Sequence, residues 1–141
     1  PPVTAADMAL PSPAEGTAEA AARVLVAREM HTERLRDAGL DADAACEQAV
    51  NARTSGELLD RFATPDDPGR ALLMKAGEVG GLTARGWTRT LRLARTIADL
   101  DGCDGVLRRH VAEALIYRRS TAEASDAFEA RRGQQAVTPA W

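Results

Sequence analysis

Apolar residues recur along this chain at three- and four-residue spacing, and nowhere do they alternate convincingly with a period of two. Leu91, Ala94, Ile97 and Ala98, led by Trp87, form the clearest stripe, and Thr83 stands where an N-cap belongs. A helix is therefore expected after Thr83, running to Leu100 and closed by an Asp101-Gly102 turn. Leu72, Leu73, Ala76 and Val79 predict a helix within residues 66–79, with Gly80-Gly81 as its stop. Ser55 is expected to cap a short helix holding Leu58, Leu59 and Phe62, which ends before Thr64-Pro65. A last helix is expected over residues 108–119, buried through Val111, Ala114 and Leu115.

Upstream, Thr17 has the position of an N-cap, and Ala18, Ala21, Ala22, Leu25, Thr32 and Leu35 fall near one helical face. A long first helix should run to about Ala38 and stop at Gly39. Residues 41–50 are rich in alanine and read either as a short helix or as a mobile insertion. Pro1, Pro2, Pro11, Pro13 and Gly16 mark residues 1–16 as an extended linker. Residues 120–141 read as a C-terminal extension, partly helical or disordered. The expected fold class is all-α, a small orthogonal helical bundle over residues 17–119 with a long N-terminal helix.

Composition supports helices and narrows the chemistry. With 45% hydrophobic but only 4% aromatic residues, the core must be built from Ala, Leu, Val and Ile, which suits closely packed helices. A net charge of −3 argues against a protein that coats nucleic acid as a whole, while leaving room for a local basic stripe. Cys46 and Cys103 stand far apart and read as reduced thiols of a cytoplasmic protein. No apolar run is long enough to span a membrane. Lys75, the only lysine, follows Met74, so the chain has no G-x-x-x-x-G-K-[ST] phosphate loop and is not expected to hydrolyse a nucleotide unaided.

Candidate chemistry centres on arginine. Arg85 falls in the first turn of the helix behind Thr83, where free N–H groups and the helix dipole already favour anions. A guanidinium there can donate two hydrogen bonds to a phosphate; it can equally be a solvated surface arginine. Arg85, Arg89 and Arg92 share one face, with Arg95 at its edge beside Asp99. That stripe reads as a phosphate-backbone track or as a plain solvated face. His31 and His110 lack a second ligand at i+4, so no metal is expected, and His110 reads as a partly buried hydrogen-bonding residue near a helix start. No catalytic constellation is found.

Gly81-Leu82-Thr83-Ala84-Arg85, then residues 94–100 (Ala-Arg-Thr-Ile-Ala-Asp-Leu), then His110, Glu113-Ala114 and Tyr117-Arg118 together resemble the C-terminal domain of magnesium-chelatase-like AAA+ ATPases of the ComM/YifB group. Asn51-Ala52 and Pro1-Pro2-Val3 fit the same pattern. The resemblance implies the α-helical lid of a ring ATPase, with residues 1–16 leading in from an ATPase core outside this sequence. It implies that Arg85 is the sensor-2 arginine, contacting the γ-phosphate of bound ATP. It also implies ATP and Mg²⁺ in the full-length parent only, a hexameric ring, and relatives that act on DNA in natural transformation. Independently of the resemblance, the arginine stripe makes Arg89 and Arg92 candidate nucleic-acid contacts. The chain departs from the pattern at Gly86-Trp87, at Leu107 where a polar cap is commoner, in the added length of residues 41–50, and in not matching the cysteines expected near Asn51 in many relatives. A DNA-binding helical module and a stand-alone interaction domain are the alternative readings.

Overall fold

The structure is a computed structural model and describes residues 15–80 and 82–118. The expectations for residues 1–14 and 120–141, and for Gly81 and Arg119, lie outside them. Every regular element described is a helix: α1 (Thr17–Asp37), α2 (Ala42–Glu47), α3 (Gly56–Ala63), α4 (Asp67–Gly80), α5 (Ala84–Leu100) and α6 (108–118). The only β pairing among the described residues is one isolated parallel bridge, Pro65 to Val106. The all-α expectation holds.

Helix α5 is the axis of the domain because its apolar and small residues cover most of its circumference. Leu91, Ala94, Ile97 and Ala98 are buried in one core with Leu59 and Ala63 of α3, Leu73 of α4, Val106, and Val111 and Ala114 of α6. Ala63, Ala94, Ala98 and Ala114 have no exposed surface, and side chains this short let helix backbones approach closely. Trp87 and Leu115 pack against the same cluster, as their spacing predicts.

The helix ends follow local rules. Thr83 Oγ1 accepts the Gly86 N–H at 3.1 Å, and Asp41 Oδ1 accepts the Ala44 N–H at 2.8 Å. Both long helices close with a Schellman pair. In α1, Leu40 N–H reaches Leu35 O and Gly39 N–H reaches Arg36 O, with Gly39 at φ 76°. In α5, Cys103 N–H reaches Ala98 O and Gly102 N–H reaches Asp99 O, with Gly102 at φ 66°. Positive φ is needed at both positions, and glycine supplies it without a Cβ clash.

Three local expectations are corrected. Gly16, not Thr17, is the N-cap of α1, and its N–H is held by the Glu19 carboxylate at 3.0 Å. The buried face of α1 is Ala27, His31 and Leu35; Ala18, Ala21, Ala22 and Leu25 are exposed, because α1 packs on α5 through its C-terminal half. In α4, Leu73 enters the core with Leu72 and Ala76 half-buried, but Val79 stands 80% exposed on a last turn that no described element covers. Residues 41–50 resolve into the short helix α2, which buries none of its residues.

Candidate functional site

The arginines expected to form one stripe divide according to depth. Arg85 lies in the first turn of α5 and is exposed, and no hydrogen bond or ion pair joins its side chain to another described residue. Arg89, one turn on, is also exposed. Arg92 is half-buried, and its Nε donates to the Thr54 carbonyl at 2.8 Å. Arg95 is only 2% exposed.

Arg95 is therefore not the edge of a solvated face. Its Nε donates to Asp99 Oδ1 at 3.1 Å, Nη1 to the carbonyls of Asp104 at 2.6 Å and Phe62 at 3.3 Å, and Nη2 to the Cys103 carbonyl. Asp99, equally buried, also accepts from Arg34 Nη1 at 2.7 Å and from Asn51 Nδ2 at 2.6 Å. Burial lowers the Arg95 pKa from its usual value, while the Asp99 charge works to raise it. This network joins α1, the 48–54 loop, α3 and the 103–104 loop to α5. It is structural, since every guanidinium nitrogen of Arg95 is already engaged.

Arg89, Arg92 and Arg118 line an open cleft of about 710 Å³ between α5 and α6, with Gly86, the neighbour of Arg85, at its edge. Arg89, Arg92, Thr90 and Leu93 line one wall, and Ala114 and Arg118 the other. Arg118 closes on the start of α5: a Cβ placed on Gly86 would lie 3.2 Å from its Nη2 and 3.3 Å from its Cζ. No carboxylate among the described residues pairs with Arg85, Arg89 or Arg118. The cleft thus carries net positive charge in a chain that is acidic as a whole, an arrangement suited to an anion.

A protein-family comparison identifies the fold's relatives: the C-terminal domain family of the magnesium chelatase subunit ChlI matches residues 14–118. The chain belongs to this family. It is 35% identical to the competence protein ComM of Haemophilus influenzae over 104 residues, covering 74% of this chain and 18% of that protein. An uncharacterized protein of Mycobacterium tuberculosis is 36% identical over 108 residues, covering 77% of this chain and 20% of that protein. The uncharacterized protein YifB of Escherichia coli is 31% identical over 106 residues, covering 75% and 19%. This magnesium chelatase C-terminal domain thus spans about a fifth of the length of the curated relatives it matches. No solved structure matches it.

The family match takes in Arg85 and the three cleft arginines, Arg89, Arg92 and Arg118. Arg118 is the one whose proximity to Arg85 sequence reasoning missed. The Tyr117-Arg118 pair was visible as a motif, but only the packing of α6 on α5 brings its arginine to Gly86. Thr54 was also missed, because a carbonyl that holds an arginine leaves no mark in side-chain chemistry.

The histidines serve the frame of the domain. His31 Nε2 lies 2.7 Å from the Gln48 carbonyl and ties α1 to the end of α2. His110 is wholly buried at the third position of α6, where its Nδ1 accepts the Leu107 N–H at 3.0 Å. That bond supplies half of a capping box where Leu107 itself has no side-chain acceptor. No group of three or more His, Cys, Asp or Glu residues is placed to hold a metal among the described residues.

With Nδ1 accepting, Nε2 carries the proton and faces Asp101 Oδ2 at 3.2 Å, with Arg109 Nε at 3.1 Å. Burial, then the Arg109 charge, lowers the His110 pKa below 6.5, against the opposing pull of Asp101. The unfolded chain therefore binds a proton at His110 that the folded domain resists, so stability falls as pH drops below about 6.5. His110→Gln keeps an acceptor for the Leu107 N–H but cannot titrate. Thermal melts between pH 7.5 and 5.5 should show a shallower loss of stability in this variant than in the parent; equal slopes would rule out the assignment.

Proposed function

We propose that this domain is the helical lid of a ring-forming AAA+ ATPase, and that Arg85 senses ATP held by the core of the same assembly. The observation that carries this reading is an exposed arginine without a partner among the described residues, fixed to the first turn of the domain's central helix. Thr83 caps that turn and Leu91, Ala94 and Ile97 anchor the helix in the core, so the charge moves with the whole lid. Residues of the core would supply the ATP and Mg²⁺ sites. Arg85 would add a bidentate contact to the terminal phosphate, and its engagement would set the angle of the lid. The resemblance to ComM supports a cytoplasmic hexamer that acts on DNA. Replacing Arg85 by alanine in the full ATPase should slow hydrolysis, and an unaffected rate would refute the sensor assignment.

A second reading gives Arg89 and Arg92 to nucleic acid, and the absence of carboxylate partners around the cleft among the described residues favours it. Arg92 already spends its Nε on Thr54, which weakens a continuous track. This reading expects the chain to bind single-stranded DNA with an affinity that falls steeply with salt, and less tightly in an Arg89→Ala variant. Fluorescence anisotropy of a labelled oligonucleotide that stays flat at low salt would dismiss it.

A further inference from the structure

We propose that Arg118 is a second phosphate-binding arginine, which reaches from α6 to grip the same terminal phosphate as Arg85. The inference rests on the nucleotide-sensing reading of Arg85 and extends it to a residue on another helix. Four observations converge. Arg118 lies against Gly86, the next residue after Arg85, with its Nη2 and Cζ 3.2 Å and 3.3 Å from the place a Cβ would occupy. Its guanidinium is therefore within about 8.5 Å of the Arg85 Cα, within contact reach of that arginine's side chain.

Glycine at residue 86 leaves room for this close approach. A methyl group there would press on Arg118 and also meet Leu82 Cδ2 at 3.3 Å. The two guanidinium groups carry like charge, and Arg118 lines an opening of about 710 Å³ whose rim includes Gly86, next to Arg85. Like charges brought together repel, and neither Arg85 nor Arg118 has a carboxylate partner among the described residues. The first turn of α5 contains no acidic residue either. A terminal phosphate neutralises such a pair, since its three oxygens can accept from both planar forks at once.

The test titrates inorganic tripolyphosphate into the 141-residue chain at low ionic strength, following arginine Nε–H resonances by NMR. Arg85 and Arg118 should shift together in one saturable transition. Arg85→Ala and Arg118→Ala should each weaken binding about tenfold or more, and the double variant should lose less than the product of the two. Arg118→Lys should recover only part, because it keeps the charge but not the fork. Arg36→Ala, on the exposed side of α1, should change nothing, and melts should confirm that each variant folds.

If Arg85→Ala weakens binding and Arg118→Ala does not, the inference falls and the sensor reading stands. If Arg85→Ala binds like the parent, both fall. Absence of saturable binding, or equal weakening by Arg36→Ala, also overturns the clamp. Displacement of tripolyphosphate by a single-stranded oligonucleotide at equal phosphate concentration would reassign the pair to a phosphodiester strand and overturn it too.

Discussion

Asp99→Ala is expected to destabilise the domain by about 3–5 kcal/mol, the usual cost of removing one partner from a buried ion pair. The carboxylate is 2% exposed and accepts from Arg34, Arg95 and Asn51. Without it the Arg95 guanidinium keeps its charge and has only carbonyl oxygens for company, with no path to water. Arg34, whose side chain is 18% exposed, can turn outward, so most of the penalty falls on Arg95. Whole domains are stable by only about 5–15 kcal/mol, so the loss would show as a large drop in the urea midpoint. A combined Asp99→Leu, Arg95→Met variant should be less destabilised than Asp99→Ala, because it leaves no unpaired charge in the core. If Asp99→Ala unfolds within about 1 kcal/mol of the parent, the network does not hold the helices together as described.

That network also marks where sequence reasoning stops. The elements around it were legible because their determinants are local: Thr83 as a cap, the three-and-four spacing through Ile97, and Gly39 and Gly102 as stops. An arginine four residues before an aspartate has the same local signature in solvent as in a core. What buries Arg95 is the arrival of carbonyl groups from Phe62, Cys103 and Asp104, which no periodicity encodes. The face of α1 was misread for a related reason. Alanine, valine and leucine surround much of that helix, so the neighbour it meets, not its own pattern, selects Ala27, His31 and Leu35. In the candidate site, Arg85 could be placed from its offset to Thr83 alone. Its nearness to Arg118 is a product of tertiary packing and could not.

The second large effect concerns Arg85 itself. In the proposed full-length ATPase, Arg85→Ala should lower the hydrolysis rate roughly ten- to hundredfold, corresponding to about 1.5–3 kcal/mol for a lost charge-assisted contact. The side chain is exposed and joined to no other described residue, so the same substitution should leave the domain's stability within about 0.5 kcal/mol. This contrast separates the residue from Arg95, whose replacement should act through unfolding. The loss should fall mainly on kcat if Arg85 engages the terminal phosphate as charge develops there, and mainly on KM if it only helps to hold the nucleotide. Arg85→Lys tells charge from geometry: a lysine that restores most of the rate would mean a point charge suffices, whereas the bidentate contact argued from the fixed first turn predicts only partial recovery. Steady-state kinetics of the three forms, alongside thermal melts of the same preparations, decide the matter. An alanine variant that melts early would mean that the guanidinium supports the fold after all, and the sensor assignment would lose its physical basis.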